Sequence, residues 1–207
     1  MAEIYTVCSY KGGVAKTTTA IHLAAYLNTL GRTLLIDGDP NLSALDWNDA
    51  GALPFPVMTE ADAGKTTEKF DFVVLDTAGR PTPDYLDVIA KQSDLIVVPT
   101  MPEAGVIRTL ARAIRALRGP AAAKIRILLT IVPPPPARDA DMAREVLSSV
   151  GLRVMATEIP QLKAFWKASA AGVVVSEADN RQAGRAWEAY RAMGEELRNG
   201  RADTKGE

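Results

Sequence analysis

Two lysines, two adjacent glycines and two threonines fall within eight consecutive residues near the N-terminus, Lys11-Gly12-Gly13-Val14-Ala15-Lys16-Thr17-Thr18. Paired glycines let a backbone turn tightly and approach an anion, and a lysine adds a positive point charge. A threonine hydroxyl that follows is a suitable ligand for Mg²⁺. Because the segment lies between an apolar run and a helical pattern, its amides can hold phosphates at the helix N-terminus. The segment predicts a phosphate-binding loop; the alternative is a glycine turn with two solvated lysines.

Three aspartates follow two later apolar runs and offer carboxylates to the same region. Asp37 and Asp39 come after the second run, and Asp76 comes directly after the third. Carboxylates that face a phosphate site make sense only with a cation present. For Asp37 or Asp39 alone, the alternative is a surface turn with an N-cap for a helix from Leu42.

The elements that must position these residues alternate between short strands and helices. Apolar runs recur at Ile4–Cys8, Thr33–Ile36, Phe72–Leu75, Leu95–Pro99 and Ile125–Ile131. Helical patterns over 17–30 and 105–117 lie between such runs, and three more follow over 140–150, 161–171 and 178–198. Strands with consecutive apolar residues are buried on both faces. The sequence therefore predicts an α/β fold with a doubly wound, mostly parallel sheet and helices on both faces.

Length and composition limit the class of protein. The 207 residues are 47% hydrophobic and 24% charged, which fits one globular domain, predicted over residues 1–198 with a flexible tail over 199–207. The single cysteine, Cys8, excludes an internal disulfide and a cysteine zinc cage, and it fits a reducing cytoplasm. No apolar run approaches the ~20 residues of a membrane-spanning helix. We expect a cytoplasmic protein with no membrane partner.

The glycine-rich segment departs from the ordinary P-loop pattern, because Tyr10 and Ala15 occupy its two outer glycine positions. Its Lys-Gly-Gly-x-x-Lys-Thr form resembles the deviant Walker A signature of the ParA/MinD family of ATPases. The resemblance extends from Ile4 to about Leu197 and implies a P-loop NTPase fold that binds ATP and Mg²⁺. It also implies that Lys11 reaches across an interface to the nucleotide of a partner, so that ATP joins two copies in a sandwich homodimer.

The resemblance assigns a role to each residue of the loop. Lys16 meets the β- and γ-phosphates, Thr17 ligates magnesium and Thr18 meets the α-phosphate. The backbone of the four residues before Lys16 surrounds the phosphates: Gly12, Gly13, Val14 and Ala15. The family usually has glycine in place of Ala15, where the backbone takes a shape that a Cβ resists. We expect nucleotide binding to survive this change.

The segments after the second and third strands resemble the switch I and switch II loops of the same family. The resemblance implies that Asp39 orients the attacking water, that Asp37 supports the magnesium sphere and that Asp76 holds magnesium through water. For the adenine ring, it points to Thr130 and Pro160. Thr130 can equally be a strand residue whose hydroxyl is satisfied within the protein.

Charge is unevenly distributed, although the formal net charge is only −1. Residues 34–103 carry thirteen acids against four bases, whereas residues 104–153 carry nine bases against three acids. Four arginines recur along one side of a predicted helix: Arg108, Arg112, Arg115 and Arg118. A solvated helix face is the better interpretation of an arbitrary row, but the resemblance favours a ridge that binds DNA without sequence preference. Later bases are weaker candidates, because acids are interspersed near them: Lys163, Lys167, Arg181 and Arg185.

The resemblance to the small ParA type implies an ATPase switch that positions or segregates a cargo, such as a plasmid, a chromosome region or a protein assembly. It also implies weak hydrolysis that an adaptor protein stimulates, and association with the nucleoid in the ATP-bound state.

One alternative is a MinD-like membrane-positioning ATPase, which needs a C-terminal amphipathic helix that inserts into lipid. The last helix has an apolar stripe, but acids flank it, and the stripe docks more simply on the domain. The stripe consists of Trp187, Tyr190, Met193 and Leu197. A metabolic P-loop ligase or kinase is a second alternative, and the presence of Lys11 argues against it. A scaffold that no longer hydrolyses ATP is the third, against which Asp39 argues.

Four aromatic residues have no assigned chemistry. We expect His22 to be structural, because no carboxylate or cysteine pair lies near it in the sequence. Trp166 and Trp187 are predicted to lie in the core. Trp47 either packs under the loop that precedes it or meets a partner.

Overall fold

The computed structural model describes residues 2–115 and 120–202, and a seven-stranded sheet forms its centre. The strands are β1 (Glu3–Val7), β2 (Thr33–Gly38), β3 (Val57–Thr59), β4 (Phe72–Thr77), β5 (Leu95–Thr100), β6 (Ile125–Val132) and β7 (Val154–Pro160). They lie in the order β3-β2-β4-β1-β5-β6-β7, and each neighbouring pair is parallel. The predicted α/β fold is confirmed. The strand that leads into the phosphate-binding loop lies in the middle of the sheet, between β4 and β5.

Helices connect the strands. They are α1 (Lys16–Asn28), α2 (Ser43–Asp49), α3 (Glu60–Ala63), α4 (Pro83–Gln92), α5 (Ala104–Arg115), α6 (Pro120–Lys124), α7 (Asp139–Ser149), α8 (Lys163–Ala171) and α9 (Ala183–Ala202), with 3₁₀ turns at Gly64–Lys69 and Val175–Glu177. Parallel strands require such crossover connections, because a tight turn can only join antiparallel neighbours.

The two faces of the sheet bury separate hydrophobic clusters. On one face, Leu23 of α1 and Tyr190 of α9 belong to the cluster that also contains Val97 of β5. On the other face, Leu110 of α5 belongs to the cluster that contains Ile96, the residue before Val97. Consecutive side chains of one strand thus enter different cores, which explains why the strands are apolar at adjacent positions.

The apolar stripe of α9 docks on the domain, as predicted. Tyr190 and Met193 are fully buried, and Leu197 is 2% exposed, while Trp187 packs against the same cluster. The helix runs to Ala202, past the boundary predicted at residue 198. Within residues 2–115 and 120–202, no helix combines the length and the apolar character needed to cross a membrane.

The prediction that Trp166 lies in the core is wrong. Its side chain is 73% exposed, because α8 buries Ala164 and Ala168 in the cluster that contains residues of α1 and α9, and leaves Trp166 on another side of the helix. Trp47, by contrast, is buried, and its indole N–H donates to the carbonyl of Val173 at 3.1 Å. Of the two interpretations of Trp47, packing within the domain is the one that the structure supports.

Candidate functional site

The loop between β1 and α1 has a backbone shape suited to an anion. Gly13 and Ala15 are both left-handed, with φ of 76° and 63°. Ala15 is the N-cap residue of α1 and supplies no side-chain hydrogen bond to the first turn. Amides of this turn can therefore donate to a ligand, and the helix dipole favours negative charge there. The Cβ of Ala15 resists this conformation, as expected, at a cost on the order of 1 kcal/mol.

Lys16 joins the loop to both of the later acidic segments. Its Nζ lies 2.9 Å from Oδ2 of Asp39 and 2.7 Å from Oδ1 of Asp76. Thr17 donates its hydroxyl proton to Oδ2 of Asp76 at 2.6 Å. Because β4 lies between β2 and β1, the topology brings together Asp39, Asp76 and Lys16, although Lys16 and Asp76 are 60 positions apart in the chain. The predicted convergence of these four residues is observed.

The two carboxylates bound by Lys16 differ in their surroundings. Asp76 is fully buried, and burial raises its pKa to about 6 against the opposing effect of Lys16 and the Thr17 hydroxyl. Burial also acts to raise the pKa of Asp39, but hydrogen bonds from Asn41 and the Lys16 ammonium outweigh it and hold that pKa below its ordinary value. Asp39 is therefore an anion near neutral pH, which suits a group that must accept a hydrogen bond.

The contacts of Asp37 do not support its expected place in the magnesium sphere. One carboxylate oxygen accepts from the amide of Asp39 at 3.1 Å, and the other accepts from Ala44 and Leu45 at 2.8 and 3.1 Å. Asp37 is 1% exposed. Because backbone amides use both oxygens, Asp37 caps α2 and fixes the loop that carries Asp39. This is the capping role that the sequence left open.

A cavity of about 710 Å³ opens above the loop. Gly12, Gly13 and Thr17 line it on one side, and Asp39 lines it on the other. The Thr17 hydroxyl gives its proton to Asp76, which leaves the oxygen lone pairs for a cation. Hard oxygen donors of this kind fit Mg²⁺, which binds through one or two protein groups together with substrate phosphates.

Lys11 turns away from the phosphate cavity of its own chain. Its ammonium lies 3.2 Å from Oε2 of Glu103, and both side chains are largely solvent-exposed. The pair stands at a second cavity of about 490 Å³, between the loop, the end of β5 and α5. Lys11 lines this second cavity, whereas Lys16 lines the phosphate cavity.

The sequence analysis missed Arg80, which follows Gly79 in the loop after β4. Its backbone is left-handed with φ of 60°, and its N–H donates to the carbonyl of Ser9 at 2.7 Å. Arg80 lines both the phosphate cavity and the second cavity beside Lys11. The signal available in the sequence was a basic residue directly after the Asp-Thr-Ala-Gly segment.

The assignment of Thr130 to the adenine ring is not supported. Thr130 is fully buried, and its hydroxyl donates to the carbonyls of Val14 and Thr100 at 3.0 and 3.2 Å. It is the strand residue with a satisfied hydroxyl, and it supports the phosphate-binding loop from below.

A third cavity, of about 410 Å³, continues from the phosphate-binding loop toward the end of β7. We call it the base cavity. Thr18, expected at the α-phosphate, and Pro160, expected at the adenine ring, both line it, and so does the exposed Trp166. Thr130 does not line it. Aromatic rings stack readily on nucleobases, and the indole of Trp166 is the group that the sequence analysis had placed in the core.

His22 ties the helix of the phosphate-binding loop to the last part of the fold. Its Nδ1 lies 2.7 Å from the carbonyl of Thr18, and its Nε2 accepts from the amide of Val175 at 3.0 Å. The ring stacks on Tyr190, with centroids 4.7 Å apart. Burial lowers the pKa of His22 to about 4, with the Thr18 carbonyl opposing. The structural role expected for His22 is confirmed.

Only part of the predicted arginine ridge lies among the residues whose side chains are described. Arg108 and Arg112 are exposed on α5, while Ile107, Leu110 and Ile114 are buried beneath them. The backbone of α5 ends at Arg115, whose side chain is not described, and Arg118 lies outside the described residues.

The family model for the CobQ/CobB/MinD/ParA nucleotide-binding domain matches residues 5–175 of the chain. The match contains the phosphate-binding loop, Asp39, Asp76 and Pro160. The match therefore covers the residues of the phosphate cavity, and Tyr190 of the base cavity lies outside it.

Individual relatives extend this likeness over most of the chain. "Maintenance of carboxysome distribution protein A" of Gloeobacter kilaueensis is 32% identical, with 94% of each chain covered. "Chromosome-partitioning ATPase Soj" of Thermus thermophilus is 28% identical over 92% of this chain and 93% of its own. Among solved structures, an ATP complex of a McdA variant from Cyanothece has a TM-score of 0.70 at 17% identity, over 95% of this chain and 96% of that one. This last likeness concerns the fold.

Proposed function

The chain belongs to the CobQ/CobB/MinD/ParA family of nucleotide-binding domains, and from that premise we propose that it is a magnesium-dependent ATPase whose nucleotide-gated dimer positions a cargo. The observation that carries the proposal is the convergence of Lys16 with Asp39 and Asp76, at 2.9 and 2.7 Å, beneath an uncapped helix N-terminus. This arrangement supports a phosphate site that also handles a cation.

ATP binding exchanges the partners of Lys16. When the ammonium moves onto the β- and γ-phosphates, Asp39 loses its ion pair and becomes free to accept a hydrogen bond from the attacking water. That water forms a bond to the γ-phosphorus while the bond to the bridging oxygen of ADP breaks. Thr17 would hold Mg²⁺, with Asp76 behind it reaching the ion through water. Bound magnesium neutralises phosphate charge that builds up during the reaction.

Dimerisation uses Lys11, which the loop directs away from its own phosphates. Its side chain is 46% exposed and its one observed ion pair, with Glu103, is of the weak solvent-exposed kind. Lys11 can therefore leave Glu103 at little cost and reach the nucleotide of a second copy. The Lys11 ammonium of each copy then contacts the phosphates bound to the other copy, so dimerisation depends on ATP.

The ATP dimer binds DNA through phosphates and without sequence preference. Arg108 and Arg112 support this, because they are exposed on one side of α5, and the ridge extends by sequence to Arg115 and Arg118. Dimerisation doubles the ridge, so the second half binds at high effective concentration. An adaptor protein stimulates hydrolysis and links the cargo. Both the carboxysome distribution relative and Soj are named for positioning tasks, and the first is 32% identical to this chain.

One observation favours a second candidate, a metabolic P-loop ligase or kinase. The cavity of about 490 Å³ shares Arg80 with the phosphate cavity, so a small acceptor could sit beside the nucleotide with its charge balanced by Arg80. The two functions differ in what accelerates turnover.

Nucleotide titration tests the proposal. Labelled ATP should bind the wild type in the presence of magnesium, and Lys16→Ala should weaken binding at least ~30-fold, because a charge-assisted phosphate contact is worth about 2 kcal/mol. Lys69→Ala, at an exposed lysine outside the cavity, is the matched control. Equal affinity of wild type and Lys16→Ala would remove the phosphate-site assignment.

The rate of ATP hydrolysis separates the two candidate functions. Slow turnover that duplex DNA accelerates supports the positioning function, whereas fast turnover with a metabolite supports the kinase or ligase.

A further inference from the structure

A fourth cavity, of about 810 Å³, lies outside the nucleotide site and has no role in the mechanism above. The segment that follows β6 forms one wall, with Pro133, Pro134 and Pro135, and the start of α9 forms the opposite wall. Leu162 contributes to the apolar lining. We call this cavity the proline groove. Prolines have no N–H to donate, so this wall offers a ligand ring surfaces and carbonyl oxygens.

The charges around the proline groove are not balanced. Its two acids have basic neighbours: Glu158 is 2.6 Å from Arg144, and Asp141 is 4.0 Å from Arg138. Three bases also line the groove, Lys163, Arg181 and Arg185. Within residues 2–115 and 120–202, these three side chains make no ion pair or hydrogen bond with the protein. The uncompensated charge of the groove is therefore positive.

The proline groove combines a partly apolar lining, from the proline rings and Leu162, with a cationic rim, and this combination selects one class of ligand. Duplex DNA presents its phosphates on a convex surface, so it reaches the rim and leaves the apolar lining in contact with water. An extended peptide with acidic and apolar side chains uses both, since its carboxylates meet the arginines and its apolar groups are removed from water. We propose that the proline groove binds an acidic, leucine-containing segment of a partner protein.

The proline groove shares a wall with the base cavity. Pro160, Gln161 and Leu162 line both cavities. The amide of Gln161 donates to the carbonyl of Val132 at 2.8 Å, which fixes this wall to the end of β6. A peptide in the groove therefore presses on the segment that contacts the nucleoside, and it alters nucleotide affinity. This coupling rests on the proposed ATP binding, whereas occupation of the groove by a peptide does not.

Fluorescence anisotropy with a defined probe tests the proposal. The probe is a fluorescein-labelled synthetic peptide of alternating Glu and Leu, and an all-Glu peptide of equal length is its control. The wild type should bind the Glu-Leu peptide more tightly than the all-Glu peptide. Arg181→Glu with Arg185→Glu should weaken binding about tenfold or more, because like charges then face the peptide. Arg108→Glu with Arg112→Glu, an equal change of charge on α5, should leave peptide binding unchanged.

Three outcomes would overturn the proposal. Equal binding of the two peptides means that the apolar lining is not used. Equal loss with both pairs of charge reversals means that binding follows net charge alone. Displacement of the peptide from the wild type by duplex DNA, together with DNA binding that Arg181→Glu with Arg185→Glu weakens and Arg108→Glu with Arg112→Glu does not, means that the groove is a DNA contact. Labelled ATP is titrated in parallel: if the wild type binds no ATP, the proposed function fails while the result for the groove still stands.

Discussion

Lys16 and Asp39 lie 2.9 Å apart across the phosphate cavity and join the first turn of α1 to the loop after β2. The same lysine is thus the predicted phosphate ligand and the present partner of the predicted catalytic carboxylate. Phosphate and Asp39 compete for Lys16, so removing Asp39 affects binding and hydrolysis in opposite directions.

We predict that Asp39→Ala retains or increases ATP affinity and lowers hydrolysis at least ~100-fold, as expected when a group that positions the attacking water is lost. Phosphate release measures turnover, and light scattering follows the dimer, which should persist. Asp46→Ala, an exposed acid on α2 outside the cavity, should behave as wild type. Unchanged hydrolysis in Asp39→Ala would exclude Asp39 from the mechanism.

Lys11→Ala should bind ATP as a monomer and fail to dimerise. The reason is that Lys11 lies outside its own phosphate cavity and contributes only when a second copy is present. Glu103→Gln serves as the paired variant, because it releases Lys11 from its ion pair and should leave ATP-dependent dimerisation intact. The mass measured by light scattering with and without ATP shows whether each variant forms the dimer. Normal dimerisation and hydrolysis by Lys11→Ala would contradict the role across the interface.

Charge reversal at Arg108 and Arg112 should flatten the salt dependence of DNA binding. Each phosphate contact contributes about 0.9 to the slope of log affinity against log salt for duplex DNA. The loss should be the same for unrelated sequences, because phosphates carry no sequence information. Lys69→Glu with Lys91→Glu, at exposed lysines on the 3₁₀ turn before β4 and on α4, is an equal change of net charge and serves as the control. If the double variant binds duplex DNA as wild type does, this part of α5 is a solvated face.

The pKa of His22 predicts one component of acid sensitivity. The folded protein keeps the ring neutral down to about pH 4, whereas the unfolded chain takes up a proton below its ordinary pKa of 6.5. The contribution of His22 to stability is therefore complete above pH 6.5 and falls by about 1.4 kcal/mol per unit as the pH drops toward 4. Urea unfolding at several pH values should show that His22→Gln lacks this slope. Asp76, whose pKa is raised to about 6, gives a slope of opposite sign, but it is common to both proteins and cancels in the difference. Parallel curves for the two proteins would refute the prediction.

Ala15→Gly should stabilise the fold by roughly 0.5 kcal/mol. Glycine removes the strain of a left-handed alanine, of order 1 kcal/mol, and part of this gain is offset by the greater entropy of glycine in the unfolded chain. Gly13→Ala creates the same strain at the neighbouring left-handed position and should destabilise. Thermal unfolding of the three proteins measures both changes, and a destabilised Ala15→Gly would be the contrary result.

The sequence predicted the phosphate site well because its geometry follows from topology. Once the strands are parallel, the residues after β1, β2 and β4 must meet at one edge of the sheet, and Lys16, Asp39 and Asp76 do so. The roles of Thr130 and Asp37 were harder to predict, because a buried hydroxyl or carboxylate forms hydrogen bonds with whichever amides and carbonyls the packing brings near it. For Asp37 these amides belong to α2, whose first turn lies beside the end of β2.

Trp166 shows a different limit of sequence analysis. Its spacing from Leu162 and Phe165 fits an apolar helical face, but α8 buries the small residues Ala164 and Ala168. Which side of a short helix turns inward depends on how closely it approaches its neighbours, and alanines permit a close approach that tryptophan would prevent. Periodicity alone does not carry this information.

The packing of α1 against α9 determines when during synthesis α1 can reach its final environment. Thr19 and His22 on α1 both contact Tyr190, and α9 is the last helix in the described part of the chain. A nascent chain that has not yet released α9 from the ribosome exposes the apolar side of α1, which is the surface that chaperones recognise. The helix that begins at the phosphate-binding loop thus depends on residues as far as 171 positions later in the chain, so α1 reaches its final packing only after α9 has left the ribosome.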